Sequence, residues 1–158
     1  MDDDAASLVH DGTAPLAVAG AAASAAAARG SFATYRDELA EQSRRAQRAD
    51  LAAWAAYLTS AKVANAVCAW EEDPACWRGV TWGLVAGFVR WQLNEGYAVA
   101  TVGRRLATVK RYVELAAQAG TVAAEELQLV RTVCAPSGKR ARNLDAQRET
   151  TRRGRKKV

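Results

Sequence analysis

Histidine is almost missing from this chain: its 158 residues include one, His10. A Ser-His or Cys-His pair on a rigid scaffold is therefore not expected. Neither a G-x-S-x-G elbow nor a phosphate-cradling glycine loop occurs. Cysteine is scarce and odd in number, with Cys68, Cys76 and Cys134 and no C-x-x-C pair. That pattern predicts neither a disulfide framework nor a zinc site, and it favours a reducing, cytoplasmic setting. No apolar run approaches the ~20 residues that span a bilayer. The stretch APLAVAGAAASAAAARG follows Asp2, Asp3 and Asp4, where a secretion signal would carry positive charge. The carboxylates Glu71, Glu72 and Asp73 are consecutive, as in a solvated loop, whereas hard-cation sites need ligands converging from spaced positions. These absences leave no expected catalytic residue, cofactor, metal, membrane or small-molecule substrate. They point to a binding module.

What is present is apolar residues in helical spacing and positive charge in one place. Residues 136–158 hold nine basic groups against two acidic ones, a net +7, while the other 135 residues sum to −2. Such asymmetry suits an anionic partner reached partly through an extended segment. Residues 1–30 read as a disordered, Ala-rich leader, residues 31–135 as a helical domain, and residues 136–158 as a basic linker or arm without apolar period.

Within the domain, SRRAQRADLAAWAAYL predicts a helix capped by Ser43, with Gln47, Leu51, Trp54 and Leu58 on one face. FATYRDELAEQ supplies a short helix before it. Residues 60–80 form a structured connection punctuated by Pro74 and Gly79, with Trp70 and Trp77 tucked beneath. Thr81 caps WGLVAGFVRWQLNEG, a helix apolar nearly all round and so expected at the centre of the bundle. Thr101 is the expected cap of the next helix, whose stripe is Val102, Leu106, Val109, Val113 and Ala116, with Gly120 as its stop. A last helix begins near Thr121, buries Leu127 and Val130, and ends before Pro136. The fold class is all-α, with about four main helices.

The helix from Thr101 carries Arg104, Thr108 and Arg111 away from its apolar stripe, with Arg105 nearer the stripe's edge. Guanidinium and hydroxyl groups on a helix suit phosphate oxygens and base edges in a major groove. The helix from Ser43 adds Arg44, Arg45 and Arg48 against Asp50 alone. By periodicity these cations are ordinary solvated surface. Two basic helix starts and a basic arm together favour a polyanion.

The order SRRAQRADLAAWAAYL, then TWGLVAGFVRWQLNEGYAVATVGRRLATVKRYVELAAQAG, then RETTRRGRKK resembles the N-terminal core-binding domain of tyrosine recombinases, the phage-integrase family. The matching positions are Ser43, Asp50, Leu51 and Trp54; then Phe88, Trp91 and Gly96; then Thr101, Val102, Arg104, Leu106, Val109 and Lys110. The resemblance implies a SAM-like bundle that clamps one face of duplex DNA, with contacts from Arg44, Arg45, Arg48, Thr101, Arg104, Arg105, Thr108 and Arg111. Gln47 departs from the aromatic usual there, and Gly103 falls where a helix former would serve better. The family's catalytic Arg, Lys, His and Tyr belong to a half that would follow Val158, so the chain alone is expected to be non-catalytic. The alternative implied partner is a recombinase protomer, met through the Trp70 and Trp77 segment. An RNA-binding role lacks exposed stacking aromatics.

Overall fold

Alanine and a single proline set the first element. The computed structural model describes residues 14–63 and 66–148. Helix α1 runs Pro15–Glu38, with Pro15 in its first turn, where a missing N–H is harmless. It is followed by α2 (Glu41–Ser60), a 3-10 turn (Pro74–Trp77), α3 (Trp82–Asn94), α4 (Val99–Gln118), α5 (Ala124–Thr132) and α6 (Gly138–Ala146). All elements among the described residues are helical, so the all-α expectation holds.

The expected leader needs correction from residue 15 onward. Residues 15–30 are helical and continue into the segment expected as a separate short helix. Ser31 and Phe32 anchor α1 on α4: the Ser31 hydroxyl donates to Leu115 O at 3.4 Å, and Phe32 meets Tyr112 edge-on with centroids 5.5 Å apart. Alanine's high propensity carries the helix outward from that anchor. Over 18 residues its mean hydropathy is 1.2, so by length and composition α1 could cross a membrane, contrary to the expectation that no run approaches that length. The disorder expected for residues 1–13 lies outside the described residues.

The centre of the bundle is α4, not α3 as expected. It buries Val99, Val102, Leu106, Thr108, Val109, Tyr112, Val113, Leu115 and Ala116, an arc far wider than the five-residue stripe in its sequence. The reason is that α1, α2, α3 and α5 all pack on it. In α3 only Val85, Phe88, Val89 and Gln92 are buried, and Trp82 is exposed. Gly87 lies where any Cβ would strike the Tyr57 hydroxyl, which donates to Leu84 O at 2.9 Å. The expected caps divide. Thr81 accepts from Leu84 N at 3.2 Å as expected. Ser43 and Thr101 instead lie inside helices that begin after Ala40 and Ala98. At α4 the missing cap comes from afar: Asp145 on α6 accepts from Val99 N at 3.0 Å. Residues 138–148 are therefore part of the fold and not a free linker, with Asp145 and Arg148 both buried. Residues 149–158, including Arg152, Arg153, Arg155, Lys156 and Lys157, lie outside the described residues.

Trp70 and Trp77 tuck under the connection as expected. Trp77 is 0% exposed and stacks between Trp54 and Tyr112, with both centroid separations 5.8 Å. Its indole N–H donates to Trp70 O, and that of Trp70 to Ala66 O, each at 2.9 Å. The expectation of no disulfide is overturned here: Cys68 and Cys76 are bonded, with Cα atoms 6.1 Å apart. The bridge closes a loop that contains Trp70 and ends one residue before Trp77, leaving Cys134 free and exposed. The unfolded, unreduced chain should show one reactive thiol in a colorimetric titration and three after reduction. Three thiols without reductant would exclude the bridge.

Candidate functional site

Asp50 lies on the stripe of α2 that includes Trp54 and Tyr57, and it is 1% exposed. A carboxylate taken so far out of water requires partners. Two come from α4. The buried Thr108 hydroxyl donates to Asp50 Oδ2 at 2.7 Å. Arg104 Nη2 lies 3.0 Å from Oδ1, off the hydrogen-bonding direction, so this contact is ionic. The three residues form the floor and wall of a groove between α2 and α4 of about 380 Å³, where Ser43, Ala46 and Ala107 supply small side chains. Arg104 is 51% exposed and stands clear of those small neighbours.

Arg111 borders the same groove. Its guanidinium lies 4.8 Å from the centroid of the Tyr35 ring and pairs with Glu114 at 2.8 Å. Glu114 also receives Arg131 from α5 at 2.9 Å. Hydrogen bonds from Arg131 and then Arg111 hold the Glu114 carboxyl below its ordinary range, against a smaller effect of burial. Tyr35 accepts from Gln47 Nε2 at 2.6 Å and packs edge-on against Tyr112, with centroids 5.7 Å apart. Lys110, on the opposite side of α4, donates to Arg131 O at 3.0 Å, a cation at the C-terminal end of α5.

Of the eight expected contact residues, the structure gathers Arg104, Thr108 and Arg111 at this groove and places the others elsewhere. Thr108 is buried, so its expected exposure is corrected: it supports Asp50 and is withdrawn from any partner. Thr101 is half-buried in the first turn of α4. Arg105 folds toward α3, with its guanidinium 4.2 Å from the Tyr97 ring centroid and Nη1 3.5 Å from Gln92 Oε1. Arg48 turns to the far side of α2 and pairs with Glu71 at 3.1 Å, beside a second groove of about 450 Å³ that Val67 and Trp70 help to line. Arg45 pairs with Glu41 on its own helix at 3.3 Å, and Arg44 is half-buried with Nε lacking a hydrogen-bond partner. Trp70 and Trp77 are buried, so the surface expected to meet a recombinase protomer does not present them. Asp50 itself was missed as a site residue. Its signal was a lone acid on an apolar stripe. Among the described residues no cluster of three or more His, Cys, Asp or Glu could hold a metal.

Comparison of the chain with protein-family models, with curated proteins and with solved structures finds no match.

Tyr112, which backs Tyr35, has its phenol pushed up to about 12, first by burial, then by Tyr35 and Glu71, with Arg36 opposing. The folded state thus favours the neutral phenol. Its contribution to stability is complete below pH 10.0 and is lost as pH rises toward about 12. Urea denaturation across that window should show wild type losing stability more steeply than Tyr112→Phe. Equal slopes would mean that Tyr112 ionises as freely as an exposed phenol.

Proposed function

We propose that the chain is a non-catalytic duplex-DNA-binding domain of the integrase-like, SAM-like kind that its motifs resemble. One observation carries the reading. The exposed strip of α4 runs Ala100, Arg104, Ala107, Arg111, and its charged members are both arginines. Seven residues of α-helix separate these two guanidinium-bearing positions by roughly 10 Å along the axis, with only alanine between them on the strip. A helix edge of this kind fits a major groove and its flanking phosphates. The Arg111–Glu114 pair is no obstacle. Exposed ion pairs are worth about 0–1 kcal/mol, and a phosphate offers the guanidinium a stronger, charge-assisted partner. Arg45, exposed near the start of α2, can add a peripheral phosphate contact.

The DNA-binding reading belongs in the cytoplasm, where thiol reductants act on bridges such as Cys68–Cys76. The loop that this bridge closes is held independently by the indole hydrogen bonds of Trp70 and Trp77.

Binding to a fluorescent duplex should weaken steeply as salt rises. Replacing Arg104 and Arg111 together by Ala should lower the log–log salt slope by between about one and two units; the variant loses stability because Asp50 loses its ionic partner, so far-UV circular dichroism checks that it is folded at the temperature of the assay. Arg105→Ala, whose side chain is engaged on Tyr97, should leave the slope as it was. Salt-independent binding, or a double variant that binds like wild type, would overturn the assignment.

A further inference from the structure

Arg104 differs from every other exposed arginine of the site in what holds it. Its partner Asp50 is 1% exposed, and Asp50 is itself fixed by the 2.7 Å hydrogen bond from buried Thr108. The partners of Arg111, Arg45 and Arg48, by contrast, are carboxylates that reach water. If Arg104 swung out to a phosphate, a buried carboxylate would lose its only ionic partner among the described residues, a strongly unfavourable change. Arg104 must therefore meet its partner from where it stands, on Asp50. Two consequences follow. The pair is close to neutral, so its pull on phosphate is weak. The guanidinium is planar with five N–H donors, and with Nη2 held 3.0 Å from Asp50 the remaining donors stay available above the small residues of the groove. A guanidinium tethered to its acid and uncharged in sum with it can offer two donors to the O6 and N7 acceptors of guanine in the major groove.

We infer that Arg104, positioned by Asp50 and Thr108, reads a guanine, while Arg111 and Arg45 contact phosphates. This rests on the duplex-binding reading above and adds a sequence preference to it. Asp50 and Thr108 are positioning residues in this scheme, and Arg104 alone touches the base.

The test is selection of wild-type protein, Arg104→Lys and Asp50→Asn from a library of duplexes with a randomised central segment, followed by affinity measurement on the selected duplex. Wild type should enrich a site containing a required G·C pair, and changing that pair to A·T should weaken binding about tenfold or more. Arg104→Lys keeps the charge and loses the fork. It should bind with an unchanged salt slope and discriminate at that pair less than about twofold. Asp50→Asn frees the guanidinium. It should lose the same discrimination while binding random duplex as tightly as wild type or more so, the opposite of what a merely unfolded variant would do. Circular dichroism checks its fold, and if Asn is not tolerated Arg104→Lys decides alone. Selected sites without a required guanine, or an Arg104→Lys variant that keeps the preference, would overturn the inference while leaving duplex binding standing. Failure of wild type to retain any duplex at low salt would instead remove the underlying DNA-binding reading.

Discussion

A carboxylate buried between two helices organises this protein. Asp50 comes from α2, and its partners Thr108 and Arg104 come from α4, so the acid is satisfied only when the two helices are in register. A shift of one residue along either helix would strand the charge, at a penalty of several kcal/mol. The same contact reaches from interior to surface. Thr108 closes it off from below, and Arg104 carries it to the edge of the groove. Positioning a surface cation and aligning two helices are here one interaction.

The rest of the bundle encloses α4 from the other sides. Phe32 and Tyr35 of α1 lie on Tyr112, the Trp77 ring sits between Trp54 and Tyr112, and Asp145 of α6 closes the N-terminal end. That enclosure leaves α4 one narrow exposed strip, and the strip is where Arg104 and Arg111 emerge. On another face, Arg48 meets Glu71 and Arg36 meets Glu72. The acids of the loop between α2 and α3 thus take up cations of α1 and α2, while the α4 strip brings Arg104 and Arg111 together at the groove.

Much of this could be read in advance, and the failures share a physical cause. The stripe Val102, Leu106, Val109, Val113 and Ala116 is fully buried, and Thr81 caps α3, because periodicity and side-chain caps are local properties. Helix starts at Ala40, Ala98 and Ala123 were illegible, since alanine cannot cap and the acceptor for Val99 lies 46 residues away on Asp145. Thr108 has the phase of a polar face, yet it is buried because a partner helix brings an acid to it. Arg105 has the composition of a phosphate ligand, yet it folds onto Tyr97. The Cys68–Cys76 bridge has no spacing signature and follows from how Trp70 and Trp77 fold the loop inward. A Cβ added at Gly103 would meet only Ala135, at the 3.8 Å of ordinary contact, so nothing in the structure requires glycine there.

The most direct test of the central interaction is a double-mutant cycle in chemical denaturation with Asp50→Asn, Thr108→Val and the pair. If Asp50 and Thr108 form one buried unit, the two single losses will exceed the loss in the double variant by at least about 1 kcal/mol. Losses that add to within about 0.5 kcal/mol would show that the two side chains act independently, and the account of α2 and α4 as a single register-locked pair would be wrong.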